Sequence, residues 1–419
     1  MQPGKGPGEP RGGRPSGWST LADSPTALRG FLLGNAVGDL GNGFFRLALP
    51  WLVYDLTGSA AALGVLAAVA YAPTLLMPWM GRLVDRTAVR SVLFVSLAVQ
   101  GMSLATLGVL LNLHRLSLPM VDVGAILATG GGLMSWTATQ VVVQRLTPAH
   151  ARVAVNGFTS MLFNLSWYVS PAVAGLVIGH WGVAWALFVN ALAMLTVMVP
   201  LFWLPALNPV QDRPTSLGAP WRTFTRATSV LVGTLVSGFW NFTWGAVYAL
   251  QVFFFRHQLH LDAETVGLVG MLAGVGPMVL AVLGPYLVQR LRTIVLLSGT
   301  LVLSGLGMLG LALTHNWWEA TLAVGAIDGA AAPVGIVVST LTQRTIPSEL
   351  YGQVTAWQTL VEGVGVPLAG LLAGAVAVVL GAPVTIAAAG VVTLSGGMLL
   401  PATGARRVSL GETNPHGGP

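Results

Sequence analysis

This sequence of 419 residues contains no cysteine and very little charge. Because cysteine is absent, disulfide bonds, thiolate nucleophiles and cysteine-ligated metal sites are excluded. Charged residues make up 8% of the chain, compared with about 25% in a typical soluble domain. Apolar residues make up 54%, and 53 residues are glycine. This composition predicts a protein that crosses a membrane many times rather than a large soluble core.

Lysine is also nearly absent, since Lys5 is the only one. A nucleotide-binding P-loop requires a lysine in G-x-x-x-x-G-K-[ST], so ATP hydrolysis by that route is excluded. All seven histidines fall in predicted loops or tails. The loop RHQLHLDAE places His257, His260, Asp262 and Glu264 at spacings that suit a metal, but a solvated loop is the better interpretation. We therefore expect no enzyme, no metal centre and no cofactor.

Twelve apolar segments are long enough to cross a bilayer, which requires about 20 helical residues. They cover residues 30–54, 60–80, 91–112, 120–144, 153–178, 184–204, 223–254, 265–289, 294–314, 319–343, 353–379 and 384–402. The first and seventh exceed the bilayer thickness, so we expect them to tilt or to extend beyond it. The predicted fold class is an all-α membrane protein with twelve transmembrane helices.

The basic residues predict the orientation of these helices. With the N-terminus in the cytoplasm, 17 of the 20 lysines and arginines fall inside, two (Arg115 and Arg256) fall outside, and Arg46 lies within a segment. This asymmetry follows the positive-inside rule and predicts that both termini are cytoplasmic. It also accounts for the net charge of +6 without a nucleic-acid partner. The expected location is the cell membrane.

A Pro-rich polar stretch at residues 205–221 divides the segments six and six. A weak internal repeat supports the division, since QRLTP follows the fourth segment and QRTIP follows the tenth. We predict two pseudo-symmetric six-helix bundles, 29–204 and 222–402, joined by a cytoplasmic linker at 205–221. Residues 1–28 and 403–419 are predicted to be disordered cytoplasmic tails. Two facing bundles are typical of a transporter whose substrate binds between them near mid-membrane.

The loop after the second segment reads GRLVDRTAVR over residues 81–90. It resembles the loop signature G-x-x-x-D-R-x-G-R-R of the major facilitator superfamily, which Gly81, Asp85, Arg86 and Arg90 match. In that family the aspartate holds the two halves together on the cytoplasmic side by pairing with a neighbouring helix, so the resemblance implies a cytoplasmic gate. The physical basis is a charge-assisted bond beside a helix N-terminus.

This loop departs from the family signature at residues 88 and 89, where Ala and Val replace a glycine and a basic residue. The corresponding stretch of the second half, residues 284–290, has lost the acid. We therefore expect an asymmetric gate. An ordinary positive-inside loop would explain the arginines, but not Gly81 and Asp85 at this spacing.

The fifth segment contains Ser170, Pro171 and Gly175 in the sequence SPAVAG. It resembles a degraded form of the antiporter signature G-x-x-x-G-P-x-x-G-G, which in the superfamily accompanies exporters. The opening helix, FLLGNAVGDLGNGFFRLALPWLVYDLTG, resembles the branch that contains macrolide-efflux and siderophore-export proteins. A pure packing role for the small residues of the fifth segment is the open alternative.

The first segment carries a polar stripe. At 100° per residue, Asn35, Asp39, Asn42 and Arg46 fall within about 60° of one helix face. Four glycines thin the surrounding surface, at positions 34, 38, 41 and 43. Such a stripe faces an aqueous cavity or another polar stripe rather than lipid.

Further polar and aromatic residues are candidates for the same cavity. The seventh segment carries Trp240, Asn241, Trp244 and Tyr248, the eleventh carries Gln358 and Glu362, and the tenth carries Asp328. The family resemblance implies that helices one, four, seven and ten line the cavity. With Trp136 on the fourth segment, the aromatic residues would form a wall for a bulky apolar or cationic ligand. Packing or interfacial anchoring is the alternative for each of them.

The membrane segments thus hold three acids, Asp39, Asp328 and Glu362, and one base, Arg46. At least one acid therefore lacks an obvious basic partner. An unpaired carboxyl group in a low-dielectric environment favours its protonated form, as a proton carrier requires. The alternative is that Asp39 pairs with Arg46, two turns away on its own helix.

These observations predict a proton-coupled exporter of a lipophilic or amphiphilic small molecule, working as a monomer by alternating access. Few charges and many aromatic residues favour such a substrate over a sugar or an inorganic anion. A proton-coupled importer of a small metabolite and a transport-inactive receptor remain alternatives.

Overall fold

The computed structural model describes residues 26–147, 152–205, 218–347 and 350–402, which are helical apart from short connections. Residues 1–25, 206–217 and 403–419, which include most of the predicted tails and linker, lie outside the described residues, as does the side chain of Asp85. Residues 26–28 of the predicted tail and 218–221 of the predicted linker are helical instead. The described helices form twelve segments that we call spans 1 to 12.

Spans 1 to 6 are Thr26–Thr57, Ala60–Tyr71 continued by Met77–Arg86, Val89–Asn112, Leu118–Leu146, Arg152–Trp181, and Val183–Met198. Spans 7 to 12 are Thr228–His257, Ala263–Ala273 continued by Val275–Arg290, Thr293–Ala312, Trp317–Gly329 continued by Ala331–Thr345, Tyr351–Gly363 continued by Gly365–Leu380, and Ala382–Leu399. A short helix, Gly218–Arg226, precedes span 7. We call the end of the bundle near Thr26 and Ala402 the terminal side and the opposite end the far side.

Eleven helices in the described ranges have the length and apolar composition needed to cross a membrane. Span 1 is not among them, although it has 32 residues, because its polar stripe lowers its mean hydropathy. It packs against spans 5 and 6 and so completes the set of twelve. The predicted all-α fold with twelve transmembrane helices is confirmed.

The two halves repeat one packing pattern. In the first half span 1 packs against spans 5 and 6, and span 3 against spans 4 and 6. In the second half span 7 packs against spans 11 and 12, and span 9 against spans 10 and 12. These equivalent neighbours confirm two pseudo-symmetric six-helix bundles, while the exact bundle boundaries stay a prediction.

The most extensive contacts between the halves are those of span 5 with span 8 and of span 2 with span 11. Glycines bring the second pair together, since a Cβ added to Gly64 would lie 2.5 Å from the carbonyl oxygen of Gly370 and 2.8 Å from the Cα of Gly374. Contact this close leaves no room for larger side chains, and small residues are the usual means of packing helices in a membrane.

Candidate functional site

A cavity of about 490 Å³ lies between the two halves. Its walls come from spans 1 to 6 in the first half and from spans 7 and 11 in the second. This volume falls in the range of about 300–1,000 Å³ that is usual for small-molecule sites. Of the sequence-predicted residues, those that line it are Asn35, Asp39, Asn42, Arg46, Trp136, Asn241, Tyr248 and Glu362.

The halves are closed over this cavity on the far side. At that end of spans 1 and 7, Arg256 forms an ion pair with Asp55, and its guanidinium lies 4.1 Å from the ring centroid of Trp51 and 4.4 Å from that of Tyr54. Spans 5 and 8 meet on the same side, where His180 Nδ1 lies 3.1 Å from Glu264 Oε1. The open end therefore faces the terminal side.

The polar stripe of span 1 faces the cavity as the sequence predicts. Asn35 Nδ2 donates a hydrogen bond to Asp39 Oδ2 at 3.2 Å, and Thr139 Oγ1 on span 4 donates to Asn35 Oδ1 at 3.4 Å. No ion pair joins Asp39 to Arg46 or to another base within the described ranges. The alternative in which Asp39 pairs with Arg46 is therefore absent from this structure.

Arg46 is held instead by span 5. Its Nη2 donates to the backbone carbonyl oxygen of Trp167, and its guanidinium carbon lies 3.3 Å from the centroid of the Trp167 ring. Arg46 and Tyr248 also line a second, small cavity of about 30 Å³. Its other walls include Leu49 and Leu63, which lie closer to the far side. The two side chains thus stand between the main cavity and the far side.

Gln100 on span 3 is a cavity residue that the sequence analysis missed. Its Nε2 donates to Asn42 Oδ1 at 2.5 Å, although the side chain is only 4% exposed. Helical phase offers the signal that could have found it, since Gln100 shares one face of span 3 with Ser96 and Ser103, within about 60°. Its cavity role depends on which face of span 3 meets span 1.

The second half contributes an acid to the cavity wall from span 11. Glu362 lines the cavity. Within the described residues it has no ion-pair partner. Asp39 in the first half and Glu362 in the second are therefore two acids, without basic partners, on facing walls of one cavity.

Asp328 lies behind this wall rather than on it. Trp244 Nε1 donates to Asp328 Oδ1 at 3.0 Å, and the Trp244 ring stacks on Tyr248 with centroids 4.8 Å apart. Trp244 and Tyr248 thus link Asp328 to the cavity without exposing it there. Tyr248 in turn meets Tyr71 of span 2 edge-to-face at 5.8 Å.

Trp240 and Gln358, like Trp244, do not line the cavity, which corrects the sequence-based expectation. Trp240 is buried and donates from Nε1 to Ser304 Oγ on span 9 at 3.0 Å. Gln358 is buried and donates from Nε2 to Thr234 and Thr342 at 3.1 and 2.9 Å. Both side chains satisfy their polar groups with neighbouring helices inside the second bundle.

The terminal-side loop motif is only partly described. A Cβ added at Gly81 would meet no neighbouring atom within 4 Å, Arg86 is exposed, and Arg90 lies 6.0 Å from the ring centroid of Phe202. The side chain of Asp85, on which the predicted gate depends, lies outside the described residues. The gate therefore stays a prediction.

The antiporter-like motif of span 5 lies in the helix contacts that hold the bundle together. Ser170 is fully buried, and a Cβ added at Gly43 of span 1 would overlap it. A Cβ at Gly175 would overlap the carbonyl oxygen of Ala263 on span 8, and a Cβ at Gly270 would lie 3.2 Å from Pro171 Cβ. These residues pack span 5 against span 1 and against the other half.

The far-side loop before span 8 has a structural function. Asp262 caps that helix by accepting the Thr265 N–H at 2.8 Å. Hydrogen bonding from the Thr265 side chain, and then this backbone bond, lower the pKa of Asp262. No cluster of three or more potential metal ligands occurs in the part of the chain that the structure describes.

Comparison with known proteins agrees with this architecture. The sequence profile of the Major Facilitator Superfamily matches residues 31–255 and 230–416. An uncharacterized MFS-type transporter, y4rN of Sinorhizobium fredii, is 25% identical over 364 residues, covering 83% of this chain and 88% of that protein. The multidrug efflux pump Tap of Mycolicibacterium fortuitum is 29% identical over 148 residues, covering 34% of this chain and 36% of the pump.

Two solved structures share the fold. A bacterial homologue of the human lysosomal transporter Spinster, in an inward-facing and unoccupied conformation, superposes with a TM-score of 0.71 at 13% identity, over 95% of this chain and 98% of the other. The nucleoside transporter NupG superposes with a TM-score of 0.74 at 10% identity, over 90% and 99%. With twelve spans in two similar halves, a cavity between them and a family profile that matches most of its length, this chain belongs to the major facilitator superfamily.

Proposed function

We propose that this protein is a proton-coupled exporter of a lipophilic or amphiphilic small molecule. The observation that carries the proposal is the pair of acids on facing walls, Asp39 in one half and Glu362 in the other, in a cavity that also presents aromatic rings. A carboxyl group that is accessible from one side at a time can take up a proton on one side and release it on the other. Both walls come from one chain, so a monomer suffices.

The terminal side is the cytoplasmic side in this proposal, because the basic residues concentrate there. The structure then corresponds to the state that loads substrate from the cytoplasm, with the far-side contacts closed. Movement of one bundle against the other would open the Asp55–Arg256 and His180–Glu264 contacts and expose the cavity to the outside.

The substrate class follows from the lining. Trp136 and Phe163 are 47% and 41% exposed and line the cavity towards its open end, where they offer aromatic faces to an apolar body. Arg46 is the only base on the lining, and Trp167 takes up one face and one N–H group of its guanidinium, so the cavity offers little cationic surface to an inorganic anion. Export is favoured by the SPAVAG motif, by the opening helix and by the partial similarity to a multidrug efflux pump.

Growth of cells with and without the gene on a panel of amphiphilic antibiotics and siderophores would identify a substrate. Transport of that substrate is then measured in inverted vesicles with an imposed pH gradient. An exporter accumulates substrate in these vesicles when their interior is acidic, and it collapses part of the gradient. Accumulation only with the opposite gradient would identify an importer, and no transport with retained binding would identify a receptor.

A further inference from the structure

Gln100, Asn42 and Thr129 form a cluster in the first half of the cavity that the proposed function does not use. All three line the cavity, from spans 3, 1 and 4. Gln100 is 4% exposed, and its Nε2 bonds to Asn42 while its Oε1 has no hydrogen-bond partner. Thr129 Oγ1 is likewise buried without a partner. Unsatisfied polar atoms that are this well covered are rare and costly in proteins.

Two glycines of span 4 make room for this cluster. A Cβ at Gly131 would lie 2.6 Å from the carbonyl oxygen of Ser96 and 3.2 Å from Gln100 Cβ, and a Cβ at Gly132 would lie 3.4 Å from Gln100 Nε2. Thr129 precedes Gly132 by three residues, so both lie on the same face of span 4. The polar atoms are thus held in a recess by tight backbone contacts.

We propose that Gln100, Asn42 and Thr129 form a subsite for a hydroxyl or amide group of the substrate. Because Asn42 Oδ1 is occupied by Gln100, the pair presents one acceptor, Gln100 Oε1, and one donor, Asn42 Nδ2. A hydroxyl or an amide can donate to the first and accept from the second, and the Thr129 hydroxyl can do either. A purely hydrocarbon group would leave these atoms unpaired, so the recess selects against it.

This inference rests on the proposed function, since the subsite is part of the same cavity. It narrows the substrate to an amphiphile with a hydrogen-bonding group that reaches spans 1, 3 and 4. Its aromatic or aliphatic body would remain near Trp136 and Phe163.

Binding of matched probes tests the subsite. Each pair differs by one hydroxyl, for example tributyl(2-hydroxyethyl)ammonium against tributyl(ethyl)ammonium, with an uncharged pair of aryl alcohol and aryl alkane alongside. Binding to the purified full-length protein is followed by the fluorescence of its tryptophans. We expect the hydroxylated member to bind about 10-fold more tightly, as the loss of a well-covered hydrogen bond implies.

Variants assign that preference to the cluster. Q100M, which keeps the side-chain length without its amide, should abolish the preference, and T129V should weaken it. A thermal unfolding temperature in detergent close to that of the wild type separates loss of recognition in these variants from a folding defect. Q140M, at an exposed position of span 4, is the matched control and should bind as the wild type does.

Equal binding of both members of every pair by the wild type, or an unchanged preference in Q100M, would overturn the subsite. Absence of binding by every probe would overturn it as well. The proposed function fails separately. If the probes bind with the expected preference but a pH gradient does not drive their transport, the subsite is supported and the proposed export is contradicted. If the probes are transported but bind without the preference, export is supported and the subsite is contradicted.

Discussion

Arg46 and Asp39 lie on one face of span 1, yet each is held by a different partner. The guanidinium of Arg46 covers the ring of Trp167 and donates to its carbonyl oxygen on span 5, whereas the carboxylate of Asp39 accepts a hydrogen bond from Asn35. The base therefore holds two helices of the first half together, and the acid remains on the cavity wall without a counter-ion among the described residues.

Neutralising the cavity acids should uncouple transport from the pH gradient. D39N and E362Q each remove a carboxyl group that can carry a proton while keeping the size of the side chain, so we expect gradient-driven transport to fall at least 10-fold while substrate binding persists. Transport in inverted vesicles with and without a pH gradient is the measurement.

Matched controls for this experiment are D262N and E319Q, which change far-side acids outside the cavity. Asn also caps helices well, so D262N should leave span 8 intact. D328N tests the acid behind the wall. Because Asp328 accepts a hydrogen bond from Trp244, we expect this variant to change the shape of the cavity. Full coupling in D39N, E362Q and D328N would remove the carboxyl groups from the mechanism.

Replacing Arg46 by lysine should loosen span 1 from span 5. Lysine keeps the charge but loses the planar group that covers Trp167, and contacts of this kind contribute about 0.5–2 kcal/mol. We expect R46K to lower the thermal unfolding temperature in detergent and to reduce transport. The control is R290K, because Arg290 lies 5.2 Å from the ring of the exposed Tyr286 and should contribute less. Equal effects of the two variants would contradict this role of Arg46.

The contact between Gly43 and Ser170 predicts a compensating pair. In G43A the new methyl group overlaps Ser170 Cβ, so the helices must separate, which typically costs about 1–3 kcal/mol. S170G removes the obstructing atoms, and the double variant G43A/S170G should recover most of the stability lost in G43A. Thermal unfolding of the four proteins gives the coupling directly.

G299A is the control for this pair, since a Cβ there would meet no atom within 4 Å. It should be near neutral. A double variant no more stable than G43A would show that the two positions do not limit the approach of spans 1 and 5.

The far-side contact of Asp55 and Arg256 should have to open during each transport cycle. Because the chain has no native cysteine, D55C/R256C can be cross-linked with a short, cleavable bifunctional thiol reagent without background reaction. We expect the cross-link to stop transport and its cleavage to restore it.

Two controls accompany this experiment. The double variant before cross-linking measures the effect of losing the ion pair, and each single cysteine variant treated with the reagent measures the effect of thiol modification. Full transport by the cross-linked protein would contradict opening at this position.

The sequence by itself determined the twelve spans, the division into two halves and the polar face of span 1. These features arise from composition and helical phase, which act locally: a run of apolar residues must be helical in a bilayer, and residues such as Asn35, Asp39, Asn42 and Arg46 share a face whatever surrounds them. The family resemblance added the expectation of a cavity between the halves.

Only the tertiary structure decided which neighbour each polar face meets. Trp240 and Asn241 are adjacent in the sequence, yet Trp240 donates to span 9 and Asn241 lines the cavity. The polar stripe of span 7 is wide enough to contact span 9 on one side and the cavity on the other. In the same way, the packing of neighbouring helices directs the Gln358 side chain into its own bundle and the Gln100 side chain towards the cavity. Helical phase predicts which residues share a face, but the packing of neighbouring helices decides whether that face lies in the core of a bundle, at a contact between the halves or on the cavity wall.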